Sequence, residues 1–226
     1  MKADADADTE ATPLYRLNVM DFSELKVINS INVTYESRTD SAGWAVFCCA
    51  PHQASMLMFS YDKNRLSVLL ADDVDGTCDI PSIKVYSSAL TKVENYGDST
   101  VKVLNPHPAS NLKLQVIGNG TIEAEGIHVT NLTAAITTGS GNLVLQGLAQ
   151  KANYRNVGTG AIDAERLEAA QVRCSIFGTG PVNCYPTDIL RVYGAGSGKV
   201  CYRGEPHKIN NRSLGVKVVD ILTPEP

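Results

Sequence analysis

The chain has 226 residues, a net charge of −4, an isoelectric point near 5.6, and is 43% hydrophobic and 19% charged. These are values of a globular protein long enough to bury a substantial core. The acidic balance leaves no basic footprint, which excludes nucleic acid and anionic lipid as main partners, and no apolar run approaches the roughly 18 residues of a membrane span.

Residues 1–13, MKADADADTEATP, are small and acidic with no apolar core segment, so they read as a disordered leader rather than a secretory signal. The stretch 14–92 is irregular but β-rich. Its short apolar or alternating runs, LKVINSINVTYE, WAVFCCA, SMLMFSY and RLSVLLA, are punctuated by TDSAG, DKN and DDVDG, the pattern of hairpins or further coils. Trp44 and Phe47 are expected to fill the wider end of the core. KVYSSALTKVENYG then runs on without a linker, which predicts one continuous domain over 14–226.

From residue 93 to residue 210 the chain repeats itself. The units begin YGDSTVKV, IGNGTIEAEG, TGSGNLVLQG, VGTGAIDAER, FGTGPVNCYP and AGSGKVCYRG. Their first glycines, Gly97, Gly118, Gly139, Gly158, Gly178 and Gly196, are 21, 21, 19, 20 and 18 residues apart. Second glycines follow at Gly120, Gly141, Gly160, Gly180 and Gly198; only the first unit departs, with Ser99. Four residues past each first glycine stand Val101, Ile122, Leu143, Ile162, Val182 and Val200, all branched aliphatics. Two further on come Val103, Ala124, Leu145, Ala164, Cys184 and Tyr202, and the residues between are mostly polar, so each unit holds a strand with one face inward. Four residues before each glycine a second apolar column reads Val93, Leu114, Ala135, Tyr154, Cys174 and Val192.

Two short strands, sharp corners and no helix in each unit of about 20 residues predict an all-β fold, a parallel β-helix in which neighbouring coils lie ~4.8 Å apart. The glycines are its corners, where stacked turns demand positive φ or close backbone approach. GAGSGKV, Gly194 to Val200, is such a corner and no phosphate cradle. A P-loop would need glycine at Tyr193 and Ser or Thr at Val200, and a dinucleotide fingerprint would need glycine at Cys201. Residues 211–226 close the chain as a candidate cap.

The cysteines, Cys48, Cys49, Cys78, Cys174, Cys184 and Cys201, stand in no C-x-x-C pair and read as small buried hydrophobes; His52, His107, His128 and His207 are too scattered to be ligands. No metal or cofactor is expected. Asn-x-Ser/Thr triplets at Asn32, Asn119, Asn131 and Asn211 read as incidental, Asn119 as a turn residue.

The order FSELKVINSINVTYE, RLSVLLA, IPSIKVYSSALTKVENYGDSTV and coils ending in GSGKVCYRGEP resembles the head GIN domain family of putative auto-transporter adhesins, over residues 14 to 210. The resemblance implies a right-handed parallel β-helix like that of the pectin lyases, in a bacterial extracellular or cell-envelope protein that acts in adhesion without catalytic residues. A signal peptide or lipid anchor is then expected to have been trimmed. The Gly-Ile-Asn that names the family is here Ser30, Ile31 and Asn32.

Two functions follow. An adhesive module would present the outward positions five and seven past each glycine, Glu123, Glu125, Asp163, Glu165, Asn183, Tyr185 and Arg203, to a carbohydrate or a host or cell-surface protein; as outward strand positions they would be polar in any case. A carbohydrate-active enzyme would use Glu123 with Glu125, or Asp163 with Glu165, as paired carboxylates on one strand face, roughly 7 Å apart. Val144 and Gln146 in the coil between interrupt the acids, which counts against a lyase that holds a cation with adjoining coils.

Overall fold

The computed structural model describes residues 13–71 and 81–221, so residues 1–12 of the leader, Cys78 and residues 222–226 lie outside the described residues. In chain order the strands are β1 (Leu14–Asn18), β2 (Glu24–Val27), β3 (Val33–Ser37), β4 (Trp44–Cys48), β5 (Leu57–Asp62), β6 (Arg65–Leu70), β7 (Ile83–Ser87), β8 (Lys92–Asn95) and β9 (Thr100–Leu104). Then follow β10 (Ala109–Ile117), β11 (Thr121–Thr138), β12 (Asn142–Asn156), β13 (Ile162–Ile176), β14 (Val182–Ala195), β15 (Lys199–Tyr202), β16 (Lys208–Leu214) and β17 (Lys217–Asp220). One short helix, α1 (Pro51–Ala54), separates β4 from β5.

The repeat winds as expected into a β-solenoid of about six turns with parallel coils of about 20 residues. The column four residues past each glycine is a single file: Ile122 pairs in register with Val101 and Leu143, Leu143 with Ile162, Ile162 with Val182, and Val182 with Val200. All six side chains are buried, and each contributes on the order of 1.5–3 kcal/mol of hydrophobic stabilisation. The file extends in both directions, through Val33 to Ile83 at one end and to Val218 at the other.

The second column needs one correction. Leu114 pairs with Ala134, not Ala135, and Ala134 pairs with Tyr154, which is followed by Cys174 and Val192. The register shifts between Val116 and Ile117, which pair with Ile136 and Thr138, so Thr137 is an extra residue just before Gly139. Counting back from the glycine therefore lands one residue late in that coil, the expected effect of a bulge.

Most corner glycines answer to close approach rather than positive φ. A Cβ on Gly160 would overlap the carbonyl oxygen of Gly141 one coil below, and one on Gly180 would overlap that of Gly160. Gly139 is a corner where the backbone also takes the left-handed region, at φ 83°.

The first half contains both coils and hairpins, but not in chain order. β2 lies between β6 and β8, and β3 between β7 and β9, all parallel. The coil made by β6 and β7 is thus laid outside the earlier one, and β8 and β9 resume on its other side. The outer coil is covered by antiparallel strands, β5 on β6, β4 on β7 and β1 on β4, which blunts the open edge of the solenoid at this end. Lys63 and Asn64 turn the β5–β6 hairpin with φ of 48° and 64°.

Phe47 enters the core at this end, stacked between Tyr15 and Phe59 at 5.3 and 6.0 Å. Trp44 does not: it points to the other face of β4, half-buried beneath the Arg16 guanidinium at 4.2 Å. The same alternation divides the cysteines. Cys49, Cys174 and Cys184 are buried as expected, whereas Cys48 is exposed and Cys201, on the outward side of β15, is half-buried.

Candidate functional site

The strands that follow the corners stack into one face whose outward residues form a ladder. Lys102, Glu123, Val144, Asp163, Asn183 and Cys201 occupy consecutive strands at one register position. Lys102 pairs with Glu123 at 3.2 Å. Val144, between the two acids, is 42% exposed.

Glu125 and Glu165 stand where this regular face ends. Beyond Ala124 the register shifts at Gly126, whose φ is 71°, and beyond Ala164 it shifts again before Glu168 pairs with Tyr185. Asp163 closes a local turn there, its Oδ1 accepting a hydrogen bond of 3.2 Å from the Glu165 backbone N–H. These breaks curl the ladder at its margin, and the result is concave. Glu123, Glu125, Asp163 and Glu165 line one depression of about 370 Å³ together with Val144, Gln146 and Arg166.

Arg166 is absent from the sequence expectation. It reaches the depression because an extra residue in its coil puts it, not Glu165, opposite Gln146; the signal was the 20-residue interval from Gly158 to Gly178 after the 19-residue interval from Gly139. The other expected stripe residues lie to one side. Asn183 continues the ladder beyond Asp163, and the Arg203 guanidinium stacks on the Tyr185 ring at 4.4 Å. The stripe is thus two features: an acidic depression with one arginine and one amide, and a separate Tyr185–Arg203 stack.

Carboxylates, an amide and a guanidinium around an exposed aliphatic side chain suit a polyhydroxylated ligand, whose hydroxyls hydrogen-bond while an apolar ring face lies on Val144. Among the described residues, no set of three or more His, Cys, Asp or Glu side chains is arranged to hold a metal ion. No helix among them is long and apolar enough to cross a membrane.

Stacked coils that hold side chains in straight files around one apolar core define the parallel β-solenoid class. The chain belongs to the family described as "putative auto-transporter adhesin, head GIN domain", whose model matches residues 21–206. A putative adhesin from Bacteroides fragilis NCTC 9343 is similar in structure with a TM-score of 0.84, at 20% identity over 94% of this chain and 97% of that one. A putative adhesin from Parabacteroides merdae ATCC 43184 is similar at 0.73, with 18% identity over 94% of this chain and 97% of that one. A putative lipid binding protein from Parabacteroides distasonis ATCC 8503 is similar at 0.72, with 18% identity over 94% and 98%. At these identities the likeness is one of fold. No curated protein matches the chain.

Ser30, Ile31 and Asn32 form the corner between β2 and β3. Ile31 is buried, and the Asn32 side-chain oxygen accepts a hydrogen bond of 3.0 Å from the Thr100 backbone N–H in the next coil.

Proposed function

We propose that this chain is a non-catalytic adhesive solenoid of the bacterial cell surface or envelope that binds a surface polymer or protein through the face following its glycine corners. Glu123, Glu125, Asp163 and Glu165 are its contact groups. The observation that carries this reading is their convergence, with Gln146 and Arg166, on one depression of the ladder. Membership in an adhesin family supports it. The test is binding to a glycan array and to immobilised matrix proteins by the native chain and by a variant with Glu123→Gln, Glu125→Gln, Asp163→Asn and Glu165→Gln. Loss of the native hits in the variant is expected; unchanged hits would remove the depression from consideration.

A carbohydrate-active enzyme is the second reading, prompted by the same shared depression. Glu123 and Asp163 flank Val144 at one register position, two strand spacings or roughly 9.6 Å apart along the ladder, just above the upper limit of about 9.5 Å for an inverting pair of carboxylates. Against it, Glu123 is engaged by Lys102 and Asp163 by the Glu165 backbone. New reducing ends or unsaturated sugars from a polysaccharide panel, abolished by the same substitutions, would favour the enzyme.

A further inference from the structure

The other long face of the solenoid, built by the strands that precede the corners, is basic. Over residues 109–117, 129–138, 149–156, 169–176, 189–195 and 208–214 there is no Asp or Glu. Outward from the same strands project Lys151, Arg155, Arg173, Arg191, Lys208 and Arg212, all exposed except the half-buried Arg191. Among the described residues none of the six pairs with a carboxylate. The net charge of −4 conceals this segregation.

The arrangement is ordered. Arg173 and Arg191 are direct register partners on adjacent strands, in line with Asn153 and Asn210. Beside that file runs another in which Arg155, Ser175, Tyr193 and Arg212 succeed one another. The Arg173 guanidinium lies over the Tyr193 ring at 4.7 Å, and Lys151, Asn153, Gln171, Arg173, Arg191 and Tyr193 line a depression of about 300 Å³.

Like charges directly opposite across a strand pair destabilise a sheet. At the N-terminal end of this face the same conflict, Lys92 opposite Lys113, is relieved, because Lys92 pairs with Glu94 at 2.8 Å and with Glu24 at 4.0 Å. At Arg173 and Arg191 no carboxylate among the described residues does so, and an external anion laid across them would.

We infer that this face binds an anionic polysaccharide carrying about one carboxylate or sulfate per sugar, extended along the solenoid axis. The spacing of charge selects the class. Successive coils advance ~4.8 Å, close to the advance of one sugar ring, so Arg155, Arg173, Arg191 and Arg212 offer a cation at nearly every step. Duplex DNA carries a charge every ~1.7 Å and would leave most phosphates unmatched on a protein of net charge −4. Asn153, Gln171 and Tyr193 supply the hydroxyl and ring contacts a sugar needs and a bare phosphate chain does not. This surface is separate from the acidic depression and does not depend on it.

The test measures affinity of the full chain for alginate, a polymer of uronates, against neutral dextran of matched length, 20-base-pair duplex DNA and vesicles containing phosphatidylglycerol. Alginate is expected to bind, dextran not to bind, and binding to weaken steeply between about 50 and about 200 mM salt. Arg173→Gln with Arg191→Gln is expected to weaken alginate binding by roughly tenfold or more. That variant loses the stacking of Arg173 on Tyr193 together with the like-charge pair, and a melting temperature within a few degrees of the native one, read in the same samples, separates lost binding from unfolding. The variant neutralised at Glu123, Glu125, Asp163 and Glu165 should bind alginate as well as the native chain or better, which separates this inference from the adhesive reading of the other face. Failure of alginate to bind, equal binding by the arginine variant, or tighter binding of DNA or vesicles than of alginate would overturn it.

Discussion

The Ser99 hydroxyl donates a buried hydrogen bond of 2.6 Å to the backbone carbonyl of Ile31, in the adjoining coil. Ser99 is the one residue that breaks the second-glycine rhythm of the repeat, and Ile31 lies in the corner between β2 and β3. Their coils are neighbours although 68 residues separate them in the chain. Ser99→Ala is therefore expected to cost about 1–3 kcal/mol, the range for leaving a buried polar group without its partner. Ser99→Gly, which restores the rhythm of the repeat, should not recover that loss and should add chain entropy to the unfolded state. Urea denaturation of the three proteins, with unchanged m-values, measures the difference.

That contact also marks where the sequence ceased to be legible. The regular coils could be read because glycine flags each corner and the inward columns are uniformly aliphatic. The preceding coil follows the same plan, yet Asn29 stands where the others have glycine, stacked on Gly97 and held at φ 67°. Asparagine tolerates that conformation but carries no distinctive signal. Nor does any local pattern disclose that β6 and β7 fold back outside β2 and β3, since that order is fixed by which edge remains unpaired. At the site, the four acids were identifiable from their offsets, but their gathering into one depression depends on register breaks at Gly126 and after Ala164. The basic face was hidden by averaging the charge over the whole chain. The sequon asparagines proved structural: Asn32 and Asn119 accept backbone hydrogen bonds from neighbouring coils, Asn131 donates to Asn111, and Asn211 accepts from Ser213.

A second consequence concerns the core at alkaline pH. Tyr154 is fully enclosed in the inner column, and its hydroxyl has no hydrogen-bond partner among the described residues. Burial pushes its pKa well above the ordinary 10.0. The contact with Cys174, together with burial, likewise holds the Cys184 thiol well above 9.0. Both groups remain neutral in the folded chain where they would ionise in the unfolded one, so the unfolded state binds fewer protons above those values. Their stabilising contribution is complete below about pH 9 and is lost as pH rises toward the folded-state pKa values. Melting temperatures between about pH 7 and pH 11 should fall with an onset near pH 9. Tyr154→Phe should raise stability at neutral pH by about 1 kcal/mol and make the decline above pH 10 shallower; a variant less stable than the native chain would show that the hydroxyl is satisfied.

The corners set a sharper limit on substitution than the outward residues between them. A Cβ on Gly160 would meet the carbonyl of Gly141, which is part of the neighbouring backbone and unable to rotate away. Gly160→Ala should cost roughly 2–4 kcal/mol, in the upper part of the range for single substitutions. Thr179, the exposed residue between Gly178 and Gly180, should tolerate alanine within about 0.5 kcal/mol. Equal stabilities for the two variants, measured in the same denaturant series, would mean that the coils can separate at the corner to admit a methyl group.

The two ends of the solenoid are closed differently, and the C-terminal end allows a direct test of the cap expected there. β16 and β17 continue the coils in register, Val192 opposite Asn211 and Val200 opposite Val218, with Leu214 at 78% exposure on the outside. Truncation after Glu205 removes both strands and uncovers the edges of β14 and β15, including the ends of the Val192 and Val200 columns. Unpaired N–H and C=O groups beside an apolar core recruit another chain edge to edge. The truncated protein should therefore dimerise or form larger assemblies at concentrations where the full chain does not, as read by light scattering after size-exclusion chromatography. A monodisperse monomer with an unchanged melting temperature would show that the last coil neither covers the edge nor contributes to the core.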